Sequence, residues 1–213
     1  MKNSFAFWGM ALALLPLLAS CGERMQEAKN AYSAVATTTK AAEKMGEAMN
    51  KAEAKRKLRA AHGDTISLHY KELEKYLPGS IEGFTPDGAP KGESVNMGGL
   101  SYSTCEQIYR KGDQQLKVQL VDYNGANALY AGATAMMSAG FSQDNDDEMM
   151  RGCDLGIPEV KGWETLQKKD KKASVALGVG DRFFVAVEST GQDNTDFVKA
   201  VAKNINLNAL AKL

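Results

Sequence analysis

Few side chains of this chain have both the type and the spacing that chemistry needs. His62 and His69 stand seven residues apart with Gly63-Asp64 between them. Seven residues rise about 10 Å along a helix, too far for both imidazoles to reach one metal ion. A hydrolase triad would need one of them beside a distant serine, and no nucleophile elbow, phosphate loop or zinc-protease motif accompanies them. The run Asp144-Asn145-Asp146-Asp147-Glu148 carries hard oxygen ligands and opens like a calcium loop. Met149 then occupies the position where that loop turns on glycine, and no glutamate closes it. The run therefore reads as a solvated loop. Met136-Met137 and Met149-Met150 offer soft thioethers of the kind copper(I) prefers, but adjacent methionines on or beside a helix more often fill gaps in a core. Gly98-Gly99 is too short for a phosphate cradle. The carboxylates of Asp122 and Asp154 remain as scattered acids that an unrecognised enzyme could use. No metal or cofactor is implied.

The strongest signal is at the beginning. Lys2 is followed by Phe5 to Leu18, FAFWGMALALLPLL, an apolar run without charge. This is the layout of a secretory signal, and the run falls short of the roughly 20 residues that span a bilayer. Leu18-Ala19-Ser20-Cys21 follows directly and resembles the lipobox of bacterial lipoprotein precursors: an aliphatic residue, two small residues, then cysteine. The resemblance implies cleavage between Ser20 and Cys21, a diacylglyceryl thioether on Cys21 and acylation of the new amino terminus. Residues 1–20 are then the signal peptide, and the mature protein is held on a membrane by its lipid. Two or more acyl chains anchor stably, at about 0.8 kcal/mol per buried methylene. In Gram-negative lipoproteins an aspartate after the cysteine retains the product on the inner membrane. Gly22 stands there, so the resemblance implies the outer membrane, facing the periplasm.

Export changes how the other two cysteines read. Disulfides persist outside the cytoplasm, and with Cys21 carrying lipid, Cys105 and Cys153 form an even pair. A bridge between them is expected to tie the first hairpin of the domain to its middle and to stabilise the fold by about 4 kcal/mol in the chain-entropy picture.

Charge excludes one class of partner. The chain has 26 basic and 26 acidic side chains, and since the signal removes Lys2, the mature protein carries about −1. Nucleic acid binding needs a clustered basic excess, and this balance argues against such a partner. Residues 21–62 are rich in Ala, Lys and Glu, lack proline and contain Gly22 and Gly46. They form the lipidated N-terminus and a helical spacer. Met25, Tyr32, Thr39 and Gly46 repeat every seven residues, as do Ala28, Val35, Ala42 and Met49, but Thr and Gly pack poorly at such positions. A solvated stalk is the expectation, with a weak coiled coil or disorder as the alternatives. The block Lys55-Arg56-Lys57-Leu58-Arg59 reads as a solvated helix face rather than a lipid contact.

The globular domain is expected over residues 65–213. A helix is read from Ser67 to Leu77, stopped by Pro78-Gly79. A Gly- and Pro-rich loop follows. Leu100 to Arg110 and a strand carrying Leu116, Val118 and Leu120 make a hairpin about Lys111-Gly112-Asp113. Ala126 to Ala139 reads as a helix ended by Gly140. Trp163–Lys169, Ser174–Val179 and Arg182–Glu188 are candidate strands. Asp193 or Asn194 caps a closing helix with Phe197, Val201 and Ile205 on its inner face. Facing Val175, Leu177 and Val179 against Val187, Val185 and Phe183 requires a three-residue connection, whereas Gly180-Asp181 suits a two-residue one, so that register stays open. The order gives an α+β domain with an antiparallel sheet and packed helices, and it resembles PsbP-like domains in architecture. The function expected is a lipid-anchored, non-catalytic cell-envelope protein that binds a protein, peptide or small ligand. The alternatives are a structural spacer acting through its stalk, and a periplasmic enzyme.

Overall fold

Period-two patterning governs most of the domain, and it builds one antiparallel sheet. The computed structural model describes residues 43, 46–47, 49–139 and 142–213. The signal segment, Cys21, most of the spacer before residue 49, and Gly140 lie outside the described residues.

A helix, α1, covers residues 49–61. Next come α2 (Tyr70–Leu73) with a 3-10 turn at Glu74–Tyr76, then β1 (Thr85–Pro86), β2 (Lys91–Met97), β3 (Leu100–Lys111) and β4 (Gln114–Gly125). After α3 (Asn127–Ala139) follow β5 (Gln143–Asp144), β6 (Glu148–Cys153), β7 (Val160–Gln167), β8 (Lys172–Val179) and β9 (Phe183–Thr190). Helices α4 (Asp196–Lys203) and α5 (Leu207–Leu210) close the chain. The nine strands form a single sheet in the order β1-β3-β4-β9-β8-β7-β6-β5, with β2 also on β3. The expected α+β class with an antiparallel sheet and packed helices is what the chain adopts.

Successive strand residues point to opposite faces, and here each face receives a helix. On one face Leu116, Val118 and Leu120 of β4, Val175, Leu177 and Val179 of β8, and Phe183, Val185 and Val187 of β9 are buried. They pack with Leu73, Val198, Val201, Ile205, Leu207 and Leu210 in one cluster. On the other face Gly178 lies against Tyr130, Thr134 and Met137 of α3. A Cβ there would meet the Tyr130 hydroxyl at 2.8 Å, so glycine lets the helix approach.

Several expectations shift. The helix read from Ser67 begins at Tyr70, because the side chain of His69 accepts from the Lys71 amide and caps it. Its inward face of Leu68, Leu73, Tyr76 and Leu77 is as expected. Part of the Gly- and Pro-rich loop is β1 and the start of β2, and the acidic run is the turn of a hairpin between β5 and β6 rather than plain loop. The open register resolves as Val175↔Val187, Leu177↔Val185 and Val179↔Phe183, so the connection is Gly180-Asp181-Arg182.

The bridge expected between Cys105 and Cys153 is not formed, and both are free, buried thiols. Four strands, β4, β9, β8 and β7, lie between β3 and β6. At about 4.8 Å per strand the two sulfurs stand on the order of 20 Å apart along the sheet, and a disulfide needs Cα atoms within about 7 Å. The sequence places Cys105 on the first strand of the hairpin, but it shows no strand over Cys153, which closes β6, and it does not order the strands in the sheet.

Candidate functional site

Among the described residues a cluster of buried polar groups lies where the core face of β4 runs out. Leu116, Val118 and Leu120 are followed on the same face by Asp122 and Asn124, which are 0% and 2% exposed. Opposite them Arg182, 3% exposed, turns inward from the β8–β9 connection. Its guanidinium meets Asp122 as a fork, Nε donating to Oδ1 at 2.8 Å and Nη2 to Oδ2 at 2.7 Å. The Asn124 amide donates to Oδ1 at 2.9 Å and the Leu68 amide to Oδ2 at 2.8 Å. Two donors thus occupy each carboxylate oxygen, the full accepting capacity of an ionised aspartate. Arg182 Nη1 also donates to Asp64 at 2.8 Å and to the Leu213 carbonyl at 3.2 Å.

This network holds a strap, residues 64–69, over the end of the core. Asn124 Nδ2 donates to the Asp64 carboxylate at 2.6 Å and to the Ile66 carbonyl at 3.1 Å. The Ser67 amide donates to Ser101 Oγ, and Ser103 Oγ donates to the Leu68 carbonyl. A bulge between Ser101 and Ser103 shifts the β3–β4 register at this point. Beside the strap is a half-open cleft of about 260 Å³ lined by Arg56, Ala60, Asp64, Asn124 and Asn127 among others. Arg56 and Asn127 both turn to Glu53 there, and the Arg56 guanidinium holds the Glu53 carboxyl at about 2.

A second buried carboxylate fastens the other side of the fold. Glu164 of β7, 3% exposed, accepts from Thr195 at 2.6 Å, from Arg151 of β6 and from Lys199 of α4 at 3.0 Å. Burial pushes its carboxyl up, and the Thr195, Arg151 and Lys199 donors outweigh that, holding it below the usual range. A carboxyl lowered in the folded state contributes stability that is complete above its unfolded value and is lost as pH falls through the folded one. The protein is therefore expected to lose stability below about pH 4, and Glu164→Gln should flatten that decline. Denaturant titrations from pH 3 to pH 7 check this, and equal slopes for both proteins would contradict it.

The structure disperses the remaining candidates. His62 is exposed, and His69 caps α2. Asp144 pairs with Lys168 at 2.6 Å, and Asp147 pairs with Lys169. Asn145 closes the turn by accepting from the Asp147 and Glu148 amides. Asp154 accepts from the Gly156 amide in a local turn, far along the chain and the sheet from Asp122. Met149 packs against the core. Among the described residues no three His, Cys, Asp or Glu side chains gather as a metal would need, and no helix is long and apolar enough to cross a membrane.

Burial pushes the Cys105 thiol up to about 11 and raises that of Cys153 as well. Thiols so placed are protonated at neutral pH and are poor nucleophiles. Neither is expected to react with a thiol reagent in the folded protein, while both should react after unfolding without reductant. Two thiols that stay silent after unfolding would mean a bridge exists.

No family model, curated protein or solved structure matches this chain. The residues that sequence reading missed, Arg182, Asn124, Asp64 and Glu164, therefore rest on geometry alone. One signal for them was present: the alternation of β4 continues through Asp122 and Asn124.

Proposed function

We propose that the chain is a lipid-anchored cell-envelope protein whose domain binds an envelope protein, peptide or small ligand without catalysing a reaction. The observation that carries this reading is the uncharged apolar run ending in Leu18-Ala19-Ser20-Cys21. Lipid on Cys21 is then its membrane partner, and Gly22 favours the outer membrane facing the periplasm. Support for a non-catalytic domain comes from the employment of its buried charges: Asp122 accepts four hydrogen bonds, and Arg182 and Glu164 are engaged by structural partners, so among the described residues these groups serve the fold. The element order also supports a PsbP-like architecture as the finer description of the fold, and fold likeness carries no activity by itself.

Density-gradient separation of the membranes of a Gram-negative host tests the location. The protein is expected with the outer membrane, released by detergent and retained through high salt. Recovery in the soluble periplasmic fraction would contradict the reading. Crosslinking in the intact envelope, followed by purification in detergent, then identifies the binding partner.

A further inference from the structure

The segment that enters the domain is attached in two different ways on either side of Gly63. After it, the strap 64–69 is held by buried groups: Asp64 by Arg182 and Asn124, Leu68 by Asp122. Before it, α1 places no side chain in the hydrophobic core. The largest apolar residues of 49–61, Met49 and Leu58, are 52% and 65% exposed.

What holds α1 is charge at the margin of the domain, exposed at Lys51 and Glu159 and buried at Asp181 Oδ2. Lys55 reaches Glu159 at 2.6 Å and Asp181 at 3.0 Å, and Lys51 reaches Glu159 at 3.2 Å. Further along, Arg59 Nε donates to Asn124 at 2.8 Å, while its Nη2 is buried with no hydrogen-bond partner. Both receiving carboxylates stand on left-handed backbone, Glu159 at φ 61° and Asp181 at φ 59°. That conformation disfavours residues with a Cβ, and it persists where surrounding structure imposes it. The two loops are tied together by the Gly180 amide, which donates to the Glu159 carbonyl at 2.9 Å.

We infer that α1 is an electrostatic latch: an arm docked on the domain by Lys51 and Lys55 against Glu159 and Asp181, able to release about Gly63 while the strap and sheet stay folded. An ion pair with exposed partners, such as Lys51 with Glu159, contributes little in water and is screened by salt, whereas the network under the strap is shielded from it. Gly63, at φ +81° with open space around it, can take up the rotation once the Asp64 amide leaves the Arg59 carbonyl, which it meets at 3.0 Å. Release lengthens the tether in front of the domain. If Cys21 is anchored as proposed above, the latch sets how far the domain stands from the membrane, but the latch itself does not depend on the lipid.

Hydrogen exchange on the full chain, read by mass spectrometry, tests this. The comparison is 0.05 M against 1 M sodium chloride, and wild type against the Glu159→Gln, Asp181→Asn double variant. Amides of 49–61 are expected to exchange about tenfold faster in high salt and in the variant, while those of 64–69, β4 and β9 keep their protection. Two results overturn the latch: protection of 49–61 that neither salt nor the variant alters, and loss of protection in the arm, strap and sheet together.

Discussion

Replacing Asp122 by asparagine is expected to destabilise the domain by about 3–5 kcal/mol, the cost of breaking a buried ion pair by removing one charge. The substitution keeps size and shape, so packing cannot explain the loss. It follows from the count of donors. Each Asp122 oxygen accepts two hydrogen bonds, from Arg182 Nε and the Asn124 amide on one side and from Arg182 Nη2 and the Leu68 amide on the other. An asparagine must turn its NH2 toward one of those pairs, setting donor against donor, and it leaves the Arg182 charge buried without its counterion. Denaturant unfolding followed by circular dichroism measures the effect. A variant within about 1 kcal/mol of wild type would show that the Asp122–Arg182 pair does not hold the fold. Exposed pairs such as Lys75 with Glu72 offer the contrast, since removing one should change stability by less than about 1 kcal/mol.

The second large effect concerns location. Cys21→Ala is expected to abolish lipidation, leaving unprocessed precursor, because the modified thiol is what the dedicated peptidase of bacterial lipoproteins recognises. Metabolic labelling with a fatty-acid analogue should mark the wild type and leave the variant blank. Equal labelling of both would remove the assignment. The domain fold should be unaffected, because residue 21 lies outside it.

Strands with one wet face were the most legible part of this sequence. The hairpin of β3 and β4 was readable because Leu116, Val118 and Leu120 alternate with polar residues and Gly112-Asp113 turns between the two strands. Helices α3 and α4 were readable from apolar spacing. Edge elements were not: β2 is exposed along most of its length, and β6 carries Met149-Met150 and a glycine where an alternating pattern would be needed. The buried ion pair was half legible. Asp122 sits in step with a core face, but its partner lies on the third residue of a connection whose length the turn residues alone left ambiguous. The cysteines failed for a different reason. Pairing by compartment and parity says nothing about strand order, and it is strand order that separates Cys105 from Cys153.

The spacer's charged surface reads as solvated, and the structure docks part of it on the domain. Lys55 and Arg59 stand in a block that reads as a solvated face, yet they dock on Glu159, Asp181 and Asn124. Those partners lie roughly a hundred or more residues away for the lysine and sixty-five for the arginine. Local periodicity carries no trace of contacts at that range.

Anchoring through Cys21 can be read from the mass of the protein as it exists in the membrane. The protein is extracted from membranes with detergent and its amino-terminal peptide is analysed by mass spectrometry. The expected chain begins at Cys21, carries a diacylglyceryl group on sulfur and is acylated on nitrogen. A chain that keeps Met1, or that begins at another residue with an unmodified amino terminus, would contradict it.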